Sequence, residues 1–198
     1  MFNIPDCLPN QYQDCMDYNF SDRTGGFNLR DKYRRDGMFA FVSWKWINPF
    51  VEWINNRRCL EVMSGRGILS YALKQKGIKI ITTDDYSWFD MEGMSKWHDT
   101  LVEVEKLDAV DAVIKYGKDI DILIISWPYM DNIAYQVIKE LYNINPEVQV
   151  VYIGEGRGGC TADDEFYENF KEVKDEKFEI VVNNYERWWG ITRSSPIG

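Results

Sequence analysis

The chain has 198 residues, 45% of them hydrophobic, and a formal net charge of −9. That length fits one domain with a sizeable core, and that apolar content argues against disorder. The acid excess repels phosphate backbones at long range, which disfavours a nucleic-acid partner without excluding one through a local patch. Residues 1–57 hold seven Lys/Arg and seven Asp/Glu, so the whole excess lies in residues 58–198.

The first ten residues show no basic patch followed by an apolar stretch, so no signal peptide is evident. No run approaches the roughly 18 apolar residues of a membrane span, and no membrane partner is expected. Cys7, Cys15, Cys59 and Cys160 are widely spaced, and His98 is the single histidine. That set suits reduced thiols in a cytoplasmic protein and makes a metal site unexpected.

Residues 1–36 are polar, rich in Asn and Asp, and interrupted at Gly25-Gly26. Arg30, Lys32, Arg34 and Arg35 form a basic cluster that Asp31 and Asp36 interrupt, as on a solvated helix face. Phe39, Phe41, Trp44, Trp46, Phe50 and Trp53 follow and need burial. One or two helices are expected here, with Pro49 early in the second, where proline is tolerated. They either pack on the core or form a lid.

After residue 58 apolar runs alternate with helix-like stretches. Strands are expected over 59–63, 79–83, 121–126, 148–154 and 178–183, with a weaker one over 101–105. Helices are expected over 67–76, 109–116, 131–142 and 162–173, with Asp131 as an N-cap. Continuous apolar strands suit a sheet covered on both faces, and the alternation implies right-handed crossovers in a mostly parallel sheet. The expected fold is α/β: a three-layer sandwich with a helical N-terminal extension.

In such a sheet, ligands bind beyond the carboxyl ends of the strands. The first strand ends in Cys59-Leu60-Glu61-Val62-Met63-Ser64-Gly65-Arg66-Gly67, and the second in Asp84-Asp85. A glycine turn followed about 20 residues on by an acid suits a nucleotide-type cofactor whose ribose hydroxyls donate to that acid. The phosphate-binding turn wants three glycines opening the helix and no acid at the strand end. Gly65, Gly67 and Glu61 therefore fit S-adenosylmethionine (SAM), whose sulfonium and ammonium groups an acid stabilises.

The run from Glu61 to Gly67 resembles the first motif of the Rossmann-like SAM-dependent methyltransferases, with Met63 where the first glycine usually stands. Asp84 or Asp85 resembles the ribose-gripping acid of that family. Asp108 resembles its third-strand acid, which reads the adenine amino group. Ser126-Trp127-Pro128-Tyr129 resembles the Asp/Asn/Ser-Pro-Pro-Tyr motif of amino-methyltransferases, with Trp127 replacing the first proline. The resemblance covers about residues 58–186 and implies a last antiparallel strand, for which only 191–195 remain. It implies cofactor contacts at Glu61, Met63, Gly65, Gly67, Asp84 or Asp85, and Asp108. It implies catalysis at Ser126, Trp127, Pro128 and Tyr129, and an amine as methyl acceptor; the acid excess makes a small molecule the expected carrier of that amine.

Pro128 is expected to hold Trp127 extended and to aim carbonyls and the Ser126 hydroxyl at an amine, while Tyr129 stacks on a flat substrate. The segment 154–161 has four glycines around Glu155 and Arg157. It reads as a substrate loop in which Glu155 binds a cation and Arg157 a carboxylate or phosphate, or as a loop that those two residues hold by pairing with neighbours. His98 is either a general base or a surface residue paired with Asp99. Trp188 and Trp189 either line the pocket, cover a sheet edge or make an oligomer contact. Cleavage of SAM on the same fold, and a non-catalytic SAM- or metabolite-binding protein, are the alternative functions.

Overall fold

The computed structural model describes residues 8–12, 25–90 and 99–186. His98, Trp188, Trp189, Cys7, Cys15 and the segment 191–195 lie outside the described residues. The sheet has five strands: β1 (Cys59–Val62), β2 (Ile80–Asp84), β3 (Glu105–Lys106), β4 (Ile122–Ser126) and β5 (Gln149–Ile153). All neighbours pair in parallel, in the order β3-β2-β1-β4-β5. The order reverses between β1 and β4, the topological switch point beside which ligands of such sheets bind.

Among the described residues there are seven α-helices: α1 (Gly25–Arg35), α2 (Trp44–Ile54), α3 (Ile68–Gln75), α4 (Ala109–Tyr116), α5 (Ile133–Ile144), α6 (Asp164–Asn169) and α7 (Glu176–Asn184). The period-two alternation of the strands sorts the core into two layers. Cys59, Ile122, Ile124, Val151 and Ile153 face a layer with Trp46, Phe50, Leu69, Leu73 and Phe178. Leu60, Val62, Leu123, Ile125, Val150 and Tyr152 face the other, with Val113, Val137, Leu141 and Phe166. The result is a three-layer α/β sandwich of Rossmann-like topology.

The N-terminal helices share the first layer: Tyr33, Phe41, Trp46, Ile47, Phe50 and Ile54 are buried in it. The first free N–H groups of α2 donate to Pro9 O at 3.0 Å and Asn10 O at 2.8 Å, so the segment 8–12 satisfies that helix end. Pro49 stands at the middle of α2, not early in it, because the helix begins at Trp44. The buried stripe of α2 lies on other residues, and Lys45, whose carbonyl a proline four residues on cannot bond, is exposed.

Three expected elements differ. Residues 178–183 form helix α7, not a strand: Asp175 caps its start, and Phe178 and Val181, three apart, make the buried side while Ile180 is exposed. The sixth helix spans only Asp164–Asn169, since Phe170 turns extended and stacks on Phe166 at 4.9 Å. The strand expected over 101–105 is reduced to Glu105–Lys106, paired with Thr83 and Asp84.

Candidate functional site

Among the described residues, six non-glycine residues have positive φ. Asn55 and Asn56 follow α2. The other four, Met63, Tyr86, Trp127 and Ala162, lie in the connections after β1, β2, β4 and β5. Left-handed backbone costs a residue with a Cβ about 1–2 kcal/mol. The strain is thus collected along one rim, at the carboxyl ends of the strands, as at functional sites.

The turn after β1 is built by alternation of left-handed residues: Met63 (φ 53°), Gly65 (φ 55°) and Gly67 (φ 72°). Met63 takes the backbone that a glycine takes free of steric cost. Ser64 N donates to Thr83 O at 3.1 Å and Gly67 N to Ser64 O at 2.9 Å, which ties the turn to β2 and leads into α3. A Cβ on Gly65 would meet open space, whereas one on Gly67 would stand 2.7 Å from Val102. The Ser64 hydroxyl is buried with no hydrogen-bond partner among the described residues.

Glu61 lies beneath this turn, 1% exposed. Its Oε2 accepts from Ser70 N at 3.1 Å and from the Ser70 hydroxyl, to which Thr82 Oγ1 donates at 2.8 Å. The carboxylate therefore caps the first turn of α3 and is closed off from solvent. Burial pushes its carboxyl up to about 7, against the opposing hydrogen bonds from Ser70. Ser70, a lone hydroxyl on the apolar side of α3, is the sequence signal for this cluster.

Asp84 and Asp85 have different surroundings. Asp84 is buried: its Oδ2 accepts from Gly65 N at 2.7 Å, and its Oδ1 from Tyr86 N at 2.7 Å and Trp88 Nε1 at 2.8 Å. Burial raises its pKa and these bonds oppose the rise. Asp85 is exposed, with Oδ1 accepting from Ser87 N at 2.8 Å. Asp108 caps α4, with Oδ1 accepting from Val110 N at 2.8 Å, and its side chain is exposed.

The end of β4 corrects the extended geometry expected at Trp127. Its φ is 56°, despite the following Pro128. Trp127 N donates to Ile153 O at 2.7 Å, continuing the β4–β5 ladder, while its ring packs on the first core layer. Tertiary contacts thus override the preproline preference. Ser126 is half-buried and Pro128 is buried. Tyr129 is 43% exposed and Met130 67%. The Tyr129 hydroxyl bonds Ser87, joining the β4 and β2 rims across β1, and its pKa is raised by burial and by Asp84, Asp85 and Asp131.

The segment 154–161 is filled by its own side chains at Gly154 and Gly159, while Gly158 (φ 82°) has nothing within 4 Å of its Cβ position. A Cβ on Gly154 would stand 2.5 Å from the Tyr152 hydroxyl, and one on Gly159 2.5 Å from the Glu155 side chain. The Tyr152 hydroxyl bonds Thr161 Oγ1 and the Tyr167 hydroxyl, each at 2.7 Å, and Tyr167 also donates to Glu155 O at 2.5 Å. Glu155 Oε2 accepts from Cys160 N at 2.5 Å. Arg157 pairs with Asp164 at 2.8 Å and Glu168 at 2.7 Å. The alternative in which Glu155 and Arg157 hold the loop matches these contacts. Ala162 N donates to Tyr129 O at 3.0 Å, so the loop braces the β4 rim.

A depression at the opposite edge of the sheet is lined by Arg57, Arg58, Lys118, Asp121 and Gln149 among others. Arg57 gives its donors to Ile54 O, Trp53 O and Gln149, and Arg58 pairs with Asp121 at 3.3 Å. That edge is a structural closure of the strand starts. Among the described residues no His/Cys/Asp/Glu group of metal-binding size occurs, and no helix is long and apolar enough to cross a membrane.

No protein-family model matches the chain, and no curated protein matches it in sequence. Among solved structures it is similar to a SAM-dependent methyltransferase from Archaeoglobus fulgidus, with 19% identity over 79% of this chain and 72% of that one, TM-score 0.43. It is also similar to one from Agrobacterium tumefaciens, with 13% identity over 59% and 44%, TM-score 0.40. A third is the plantazolicin methyltransferase BpumL in complex with SAH, with 14% identity over 84% and 64%, TM-score 0.39. The chain thus spans less than two thirds of the length of the last two. At this degree of likeness the strand order, not the neighbours, carries the fold.

Proposed function

We propose that the protein binds SAM at the ends of β1, β2 and β3 and transfers its methyl group to an amine of a small molecule held at 126–129. The observation that carries this reading is the turn after β1. It combines open space above Gly65, an unbonded buried Ser64 hydroxyl and a strained Met63. These are the features of backbone arranged for close approach by a ligand.

Asp84 and Asp85 divide the work. Asp84 fixes Gly65 and the Tyr86 turn through three hydrogen bonds. Asp85 offers its outward oxygen to the ribose hydroxyls, and Asp108 keeps one oxygen for the adenine amino group while the other caps α4. Glu61 supports the turn from below and contributes negative potential to a cationic cofactor. Bound SAM supplies an electrophilic methyl group on its sulfonium.

At the other side of β1, the half-buried Ser126 and the carbonyls around Pro128 are acceptors that orient an amine through its N–H groups, leaving its lone pair free. Tyr129 and Met130 give that side an exposed apolar surface for the acceptor's body. The acid excess of residues 58–198 favours an amine-bearing acceptor over a phosphate-rich polymer.

Calorimetry with SAM and with its demethylated product SAH tests the cofactor. The wild type is expected to bind both, and folded Gly65→Val neither, because the added side chain fills the open space over the turn. Unchanged affinity in a folded Gly65→Val protein sinks the assignment. Mass spectrometry of the products formed with a panel of small amines then separates methyl transfer from SAM cleavage.

A further inference from the structure

We infer that Arg66 is a latch that couples ligand occupancy of the β1 turn to the docking of the N-terminal layer. The inference rests on the proposed role of that turn. Arg66 stands between two left-handed glycines, Gly65 (φ 55°) and Gly67 (φ 72°). Its side chain reaches two segments distant in sequence. Nη1 donates to Asp36 O at 2.7 Å, in the turn that ends α1, and Nε donates to Asp99 O at 2.9 Å, in the connection before β3. Its own carbonyl accepts from Leu101 N at 2.9 Å.

Below it, Gly67 packs so closely that a Cβ there would stand 2.7 Å from Val102 and 3.2 Å from Val104. The same connection is therefore held twice, by a hydrogen-bonded bridge above and by apolar contact below. On the N-terminal side, Asp36 follows the buried Tyr33, and Met38 N donates to Tyr33 O at 3.0 Å. The turn carrying the Asp36 carbonyl is thus anchored in the core at one end and tied to the ligand turn by one guanidinium at the other.

A guanidinium is suited to this task, because its fixed fork presents two donors to two carbonyls at once. A lysine is a single flexible point charge. Burial lowers the pKa of Arg66, and the neighbouring Asp36 and Asp99 oppose that shift. If the latch stabilises the turn in its ligand-binding shape, then by reciprocity a ligand on the turn stabilises the docked segments. Arg66 is then a positioning residue. A plain surface contact predicts no such response.

The test is backbone hydrogen exchange over 30–38 and 99–104, with and without SAH, in wild type, Arg66→Lys and Arg66→Met, together with SAH calorimetry. In wild type, SAH slows exchange in both segments. Without SAH, Arg66→Met speeds exchange in both by about tenfold and leaves β4 and β5 unchanged. Its SAH affinity falls about tenfold, as expected for losing hydrogen bonds from a charged donor, and Arg66→Lys lies between. The latch is overturned if folded Arg66→Met binds SAH like wild type, or if bound SAH leaves exchange over 30–38 unchanged. If wild type binds no SAH, the cofactor reading fails. The bridge is then judged by exchange without ligand: faster exchange confined to the two segments upholds it, and unchanged exchange overturns it.

Discussion

The turn after β1 and the loop after β5 both gather glycines at the same rim of the sheet, and Gly65 in the one differs from Gly154 and Gly159 in the other. In the loop, the space a Cβ would need at Gly154 and Gly159 is already taken by Tyr152, Thr161 and Glu155. Its hydroxyls are bonded to one another, Glu155 accepts from Cys160 N, and Arg157 is paired with Asp164 and Glu168. In the turn, Gly65 faces open space, the Ser64 hydroxyl lacks a partner among the described residues, and Met63 accepts a strained φ. The contrast is between Gly65 and the pair Gly154 and Gly159; it does not extend to Gly67, where a Cβ would stand 2.7 Å from Val102, or to Gly158 (φ 82°), which has nothing within 4 Å of its Cβ position.

The largest effect on stability is expected from Gly154→Ala. Its new methyl displaces the Tyr152 hydroxyl and breaks its bonds to Thr161 and Tyr167, at a cost of about 2–4 kcal/mol. Chemical denaturation measures that loss. The contrast with the turn holds if the SAH affinity of the folded fraction stays at the wild-type value, and breaks if affinity falls with stability.

Glu61 gives the turn a pH dependence that the hydroxyl-bonded loop lacks. Its folded pKa, about 7, lies above the ordinary value of 4.5. The folded state therefore binds the proton more tightly than the unfolded state does. The corresponding stability is fully present below about pH 4.5 and is lost as pH rises through about 7. The shift is worth on the order of 3–4 kcal/mol. Glu61→Gln, which keeps an acceptor for Ser70 N, should flatten the melting-temperature profile between pH 5 and 8, and Tyr152→Phe should leave its slope intact. A Glu61→Gln profile parallel to wild type contradicts the assignment.

Gly65→Ala sharpens the comparison further. With open space around its Cβ, it costs only the left-handed backbone penalty of about 1 kcal/mol. Yet it should weaken SAH binding in calorimetry, the reverse of Gly154→Ala. The smallest effect is expected from the double variant Glu155→Gln with Arg157→Gln. The Arg157 ion pairs are exposed, and glutamine still accepts from Cys160 N. Turnover per folded molecule should be unchanged, and a large loss of turnover would restore the substrate-loop reading.

Much of the fold was legible from periodicity and turn residues. The helix over 109–116 and the four apolar strands at 59–63, 79–83, 121–126 and 148–154 appear within a residue or so at each end. The run Phe178 to Asn183 was misleading because four apolar residues in six fit a strand or a helix equally. The Asp175 cap and the packing of Phe178 against Trp53, ring centres 4.7 Å apart, decide for the helix. The positions of Gly65, Asp84, Ser126 and Tyr129 on one rim followed from their places at strand ends. The burial of Asp84 beside an exposed Asp85, and the partnership of Glu61 with Ser70, did not.

By itself the sequence determined which residues end each strand, because alternation and turn chemistry act between neighbours a few positions apart. Only the tertiary structure decided which rim residues face open space. The groups opposite them come from far along the chain: Val102 against Gly67, Ile153 against Trp127, and Asp36 against Arg66. Trp127 shows the reason most plainly. The following proline favours an extended backbone, but its N–H completes the β4–β5 ladder at 2.7 Å and its ring joins the core. Those two gains outweigh a local preference.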